Sequence, residues 1–248
     1  ASSFSVIEIL YVLYFKGILK YRSYDPLWKG RDRLIMSKGQ ASLALYAVLS
    51  EAGFFPENEL DTFCRPGSVL GGEPKSGDIS GVEASTGSLG HGLSYGLGMA
   101  MAYKMDNVKN QVYVIIGDGE CQEGSIWEAV MAGYNFKLDN LTVIMDNNKL
   151  QAMGTVKELM GITGWAGRWM SFGWDVIQVD GHDIDEVGEA LKTPNKKNKP
   201  RIIIADTIKG KGVSFMENVP IWHFRMPNEE ELKIVMEELD ILEEELII

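Results

Sequence analysis

The stretch VYVIIGDGECQEGSIWEAVMAGYNFKLDNLTVIMDNNKLQ, Val112 to Gln151, decides the fold. Val112–Ile116 is an unbroken apolar run rich in β-branched residues, the pattern of a strand covered on both faces. Gly117-Asp118-Gly119 ends it. From Glu123 to Phe136, the residues Ile126, Trp127, Val130, Met131 and Tyr134 recur at helical spacing. Leu141–Met145 is a second buried run, ended by Asp146-Asn147-Asn148. A strand, crossover helix and strand of this length make parallel neighbours with a right-handed connection. Both strands then finish on one edge of the sheet. Asp118 and Asn148 are expected side by side at that carboxyl edge, where open α/β sheets bind ligands.

Upstream of this unit, Ser85-Thr86-Gly87-Ser88 is expected to cap a helix over Leu89–Met105. Gly92, Gly96, Gly98, Ala100 and Ala102 weaken that helix and make sense if another backbone packs close. Pro66–Gly81 reads as a long loop, and long loops in compact domains are usually functional. Helices are expected at Phe4–Tyr21, Ala41–Ala52 and from Pro56 to about Phe63. Downstream, a loop over Lys149–Gly164 precedes a short helix, Trp165–Phe172. Trp174–Val179 and Arg201–Ala205 read as strands, with Asp183 capping a helix at Ile184–Lys192 between them. Lys196–Lys199 reads as a solvated basic turn, Lys209–Gly212 as a glycine loop, and the end of the chain as an acidic helix. Helices alternating with at least four short buried strands predict one α/β domain over residues 1–248: three α/β/α layers around a mainly parallel sheet.

Composition excludes some classes. The net charge of −11 is local, because nine acids and one lysine between Asn228 and Ile248 account for −8 of it. Nothing in the charge favours nucleic acid. Cys64 and Cys121 form no metal-ligand spacing and suggest no oxidising compartment. The opening run FSVIEILYVLYFKGIL is interrupted by Glu8 and Lys16 and is too short for a bilayer core of roughly 30 Å. It also lacks the marks of a signal peptide, so a cytoplasmic protein with no membrane association is expected. The chain starts without methionine inside a helical pattern, and a missing N-terminal portion is expected.

The carboxyl edge carries the chemistry. Glycines on both sides of Asp118 let a ligand approach the backbone, and a helix starting near Glu123 would turn free N–H groups and its positive dipole end to the same place. That suits a phosphate. Asp118 and Asn148 bring hard oxygens, which suit Mg²⁺ or Ca²⁺ shared with a diphosphate. Thr86–Gly90 adds a second glycine-rich turn. Known mononucleotide and dinucleotide motifs fit poorly: Gly117-x-Gly119 continues to Gly124, and Gly210-Lys211 is followed by Gly212 rather than by Ser or Thr.

At this point the chain resembles a known family. GDG at 117–119 followed by NN at 147–148 is similar to the thiamine diphosphate motif. SKG at 37–39, EASTGSLGHGLS at 83–94, GDGECQEGSIWEA at 117–129, DGHD at 180–183, KGKGVSFMEN at 209–218 and WH at 222–223 together resemble the N-terminal, diphosphate-binding half of transketolase, as found in split transketolases. The resemblance implies a thiamine diphosphate-binding fold. It implies that Asp118, Asn148 and the Leu150 carbonyl hold Mg²⁺. Gly87, Ser88, Leu89, Gly117, Gly119, Glu120, Asn148 and Lys209 would surround the cofactor. Glu123 matches the acid that links two cofactor sites across a dimer, and His223 matches a substrate-facing histidine. Gln40 and His91 stand as further candidate catalytic positions, each a departure from the family: SKGQ for SKGH, and GSLGHG for GSLGQG.

Gly72-Glu73-Pro74 replaces a family GHP, and the early GHxG motif would lie before Ala1. A carboxylate at Glu73 would repel an anionic substrate, so a donor or acceptor less anionic than the usual sugar phosphates, or bound differently, is expected. Bland alternatives stand beside these roles: His223 with Trp222 as a packed pair, His182 as a loop or cap residue, Cys121 as a small core residue. The apolar stripe Leu232, Val235, Met236, Leu239, Leu242 and Leu246 would pack the tail helix on its own domain or dock a partner. The pyrimidine-binding domain of the family has no counterpart here. The resemblance therefore implies a second polypeptide, most simply in an α2β2 complex. The expected activity is ketol transfer from a ketose donor to an aldehyde acceptor. Alternatives are a ketol or acyl transferase of a biosynthetic pathway with a non-standard acceptor, and a non-catalytic scaffold subunit.

Overall fold

A computed structural model describes residues 1–161 and 163–241. The chain opens with α1 (Ile7–Phe15), β1 (Arg33–Met36), α2 (Ser42–Glu51) and α3 (Gly92–Met105). The central unit follows as β2 (Val112–Gly117), α4 (Gly124–Asn135) and β3 (Leu141–Asn147). Then come α5 (Val156–Met160), α6 (Trp165–Ser171), β4 (Asp175–Asp180), α7 (Ile184–Lys192), β5 (Arg201–Asp206) and α8 (Glu229–Glu238). The strands form one parallel sheet in the order β1-β2-β3-β5-β4. Among the described residues no helix is long and apolar enough to cross a membrane.

The pleat explains the layers. Along β2, Val112, Val114 and Ile116 face one core while Tyr113 and Ile115 face the other. The first core is closed by α3, α4 and α6, with Trp165, Trp169 and Trp174 buried in it. The Trp174 indole N–H donates to the Val130 carbonyl at 2.9 Å, which satisfies a polar group that would otherwise be stranded. The second core is closed by α1, α2 and α7. Helices on both faces of a parallel sheet make the expected three layers. Val112 pairs with Leu141 and Gly117 with Asp146, so Asp118 and the 147–148 pair leave the sheet at one level.

Several expectations need correction. The first helix ends at Phe15, not Tyr21, because Gly17 takes a left-handed φ of 72° and the Leu19 N–H turns back to the Leu13 carbonyl. Arg33–Met36 is a strand that its three apolar residues did not announce. The third helix is a 3-10 turn, Glu57–Thr62. The fourth begins at Gly92 rather than Leu89, with His91 at its N-cap and no side-chain cap bond, since Gly87 and Gly90 hold the preceding turn at φ 134° and 87°. The Lys149–Gly164 loop contains α5, closed by a capping box in which Thr155 and Glu158 bond reciprocally. Trp222, Val213, Met216 and Val235 form a third small cluster, so α8 packs on its own chain; Leu242 and Leu246 lie outside the described residues.

Candidate functional site

Parallel pairing brings the ends of β1, β2, β3 and β5 to one edge, and a cleft of about 160 Å³ opens there. Gln40, Leu89, Gly117, Asp118, Gly119 and Glu120 line one part, and Asn148, Leu150, Lys209 and His223 line the rest. Four further residues of the lining were not foreseen: Ser2, Lys38, Gln151 and Ala152. Gly87 stands just behind, its carbonyl accepting from the Gln40 amide at 3.0 Å. Ser88, His91 and Glu123 lie outside the lining. His91 and Glu123 are exposed because one heads α3 and the other α4 at the protein surface. Glu73 is exposed too, its carboxylate lying over the Gly87 Cα rather than in the cleft.

Beneath the cleft sits Asp146, fully buried. Its carboxylate accepts from Ser5 Oγ at 2.7 Å, Asn148 Nδ2 at 2.8 Å, the Thr207 hydroxyl and the Lys38 ammonium. Asn148 is thereby oriented: its amide nitrogen is committed to Asp146, and its Oδ1 faces the Leu150 N–H at 3.0 Å. Asp118 is only 2% exposed, yet no cation pairs with it among the described residues. It accepts from the Gly119 N–H and the Lys149 N–H, both at 2.8 Å. Burial, reinforced by the charge of Asp146, pushes its carboxyl up to about 7. Lys149 adopts a left-handed φ of 66° to make that bond, which curls the chain and brings Leu150 to the cleft.

Glu120 has a different use. Its carboxylate accepts from the Ser37 hydroxyl, the Gly90 N–H at 2.8 Å and the Gly117 N–H at 3.1 Å. It ties three loops of the cleft together, and burial raises its pKa. A 3-10 turn, Gly119–Gln122, separates Asp118 from α4, so the helix dipole acts one turn away from Asp118. Lys209 donates to His223 Nδ1 at 2.8 Å. Burial, then the Lys38 charge, lowers Lys209 to about 8. Burial, then Lys209, lowers His223 to about 4, so this imidazole is neutral and accepts.

These residues fit a metal-bound diphosphate on their own terms. A buried carboxylate with no cation paired to it among the described residues, sharing a lining with Asn148 and Leu150, suits a hard cation. Among the described residues no group of three His, Cys, Asp or Glu forms a metal cluster. Gln151 Nε2 is buried without a partner, and a Cβ on Gly119 would meet Gln151 Cγ at 2.9 Å. The first is a spare donor for an anion, and the second explains why only glycine suits that wall.

Comparison with known proteins identifies the family. The family described as "Transketolase, thiamine diphosphate binding domain" matches residues 1–244. An apulose-4-phosphate transketolase subunit of Phocaeicola vulgatus is 43% identical over 246 residues, 97% of this chain and 87% of that protein. The 6-deoxy-6-sulfo-D-fructose transketolase subunit SqwG of a Clostridium species is 41% identical over 239 residues, 96% of this chain and 86% of that one. The crystal structure of transketolase from Campylobacter jejuni superposes with a TM-score of 0.87 at 33% identity, over 94% of this chain. The chain spans only 37% of that transketolase. With fold and sequence in agreement, the chain belongs to the transketolase family and is a thiamine diphosphate-binding domain of it.

Proposed function

We propose that the chain is the cofactor-anchoring subunit of a two-chain transketolase-type enzyme that moves a two-carbon ketol unit from a ketose donor to an aldehyde acceptor. The observation that carries this reading is the buried Asp118, without a paired cation among the described residues, set beside Asn148 and Leu150 in a glycine-walled cleft at the carboxyl edge. Asp118, Asn148 and the Leu150 carbonyl would hold Mg²⁺, with Ca²⁺ as a workable substitute. Gly117, Gly119, Leu89, Gln151 and Gln40 line the same cleft and would contact the bound cofactor. Bound thiamine diphosphate supplies the nucleophile and electron sink for cleavage beside a carbonyl. Lys209 keeps a cation in the cleft near neutral pH, and neutral His223 can accept or donate a proton at its ring nitrogens.

The chain acts as a single domain and needs a partner. The relatives described above are named as subunits, and exposed Glu123 is available to a second chain. That chain would be a pyrimidine-binding C-terminal transketolase subunit, in an α2β2 assembly working in cytoplasmic carbohydrate metabolism. Two relatives are named for substrates that carry a phosphate or a sulfo group. Glu73 lies outside the cleft lining and is exposed, so water screens its charge from an anionic substrate and weakens the electrostatic reason for a less anionic one. An anionic sugar is therefore the preferred substrate class.

The test is reconstitution. Purified chain, partner subunit, thiamine diphosphate and Mg²⁺ are assayed for ketol transfer from a ketose phosphate to an aldose phosphate. Activity is expected only with both chains present, and Asp118→Ala abolishes it. Activity of the isolated chain as a single-chain species would refute the two-chain reading; unchanged activity in Asp118→Ala would favour a scaffold role instead.

A further inference from the structure

His182 sits at the turn between β4 and α7, outside the cleft lining, and the proposed function gives it no task. Its ring nevertheless has both nitrogens committed. The Ile208 N–H donates to His182 Nε2 at 2.8 Å. Nε2 therefore carries no proton, and Nδ1–H donates to Glu8 Oε1 at 2.9 Å. The side chain is mostly buried, so water competes weakly for these bonds. The backbone around the ring is fixed as well: the His182 N–H donates to Asp180 Oδ1 at 2.9 Å and the Gly181 N–H to the Asp206 carbonyl at 2.8 Å.

The ring thus joins three separate parts of the chain: α1 through Glu8, the β4–α7 turn through its own backbone, and the segment after β5 through Ile208. The residues flanking Ile208 both reach the site. Thr207 donates to Asp146, and Lys209 points into the cleft and pairs with His223. A segment with glycines at 210 and 212, both at positive φ, has little stiffness of its own.

We propose that His182 is a positioning residue: by bracketing Ile208 against Glu8 it holds Lys209 and His223 at the cleft for the transfer reaction. This rests on the proposed function for its catalytic consequence but not for the bracket itself. Without the ring, Ile208 loses its acceptor and Lys209 samples positions away from His223.

Two measurements on the full chain with its partner subunit separate the possibilities. In the first, amide hydrogen exchange of residues 207–212 is followed without cofactor. His182→Leu is expected to speed exchange there about tenfold or more, whereas His182→Gln, which offers a donor and an acceptor on one amide, restores most of the protection. Exchange unchanged in His182→Leu would overturn the bracket whatever the protein's function. In the second, kcat/KM for ketol transfer is measured in a double-mutant cycle with Lys209→Met. His182→Leu is expected to lower kcat/KM about tenfold, His182→Gln to stay within about threefold of the parent, and the double variant to be no worse than Lys209→Met alone. A full, additive loss in the double variant, or no loss in His182→Leu despite faster exchange, would overturn the positioning role. If the proposed function were wrong, the parent complex itself would show no transfer, while the exchange measurement would still decide the bracket.

Discussion

Asp146 accepts hydrogen bonds from Ser5, Lys38, Asn148 and Thr207, which lie on four separate segments of the chain. Asp146 is fully buried and paired with the Lys38 ammonium, and breaking a buried ion pair by removing one partner strands the other charge. Lys38→Met leaves it uncompensated and is expected to cost about 3–5 kcal/mol in urea denaturation of the ligand-free chain. A loss below about 1 kcal/mol would mean that the hydroxyl and amide donors hold Asp146 without the cation. His223 gives a test of sign. Its folded pKa of about 4 lies below its ordinary value of 6.5, so between the two the unfolded chain binds a proton that the folded chain refuses. The histidine's contribution to stability therefore falls as pH drops through 6.5 toward 4. His223→Gln should gain on the parent chain when both are denatured at pH 5 rather than pH 7; a gap that stays constant or widens in the parent's favour would be contrary. Asp118, Asn148 and Gly119 were legible because strand ends and glycines mark themselves in sequence. Lys38 and Gln151 were not, since each enters the cleft only through a partner distant in sequence: Asp146 for one and the Gly119 wall for the other.

At the scale of elements, the β2–α4–β3 unit was readable from its long apolar runs, whose boundaries hold to within two residues. Strand β1 escaped because Leu34, Ile35 and Met36 are too few to show a period, and only pairing with β2 makes them a strand. Helix α5 escaped because it is five residues long, although Thr155 and Glu158 carry a capping signature. The glycines of α3 divide as packing requires. A Cβ on Gly92 would lie 2.7 Å from the Ser37 Cα, and one on Gly96 would collide with Val114, whereas Gly98 faces open space. Gly92→Ala is expected to cost about 1–3 kcal/mol through overpacking. Gly98→Ala in the isolated chain should be neutral or stabilising by up to about 1 kcal/mol, by helix propensity. Equal effects at the two positions, read by denaturant midpoint, would show that backbone approach is not what the glycines serve.

For the whole molecule, two helical layers and a parallel sheet exist to bring four strand ends together, and everything assigned to chemistry lies at that edge or on loops leaving it. The central claim is that this edge, through Asp118, anchors metal-bound thiamine diphosphate. The most direct measurement is a calorimetric titration of thiamine diphosphate into the complex of this chain with its partner subunit, in Mg²⁺ and again in EDTA, for the parent and for Asp118→Asn. Saturable binding in Mg²⁺, lost in EDTA and weakened about a hundredfold or more by Asp118→Asn, is the expected result. Binding of equal strength in all four titrations would contradict the account.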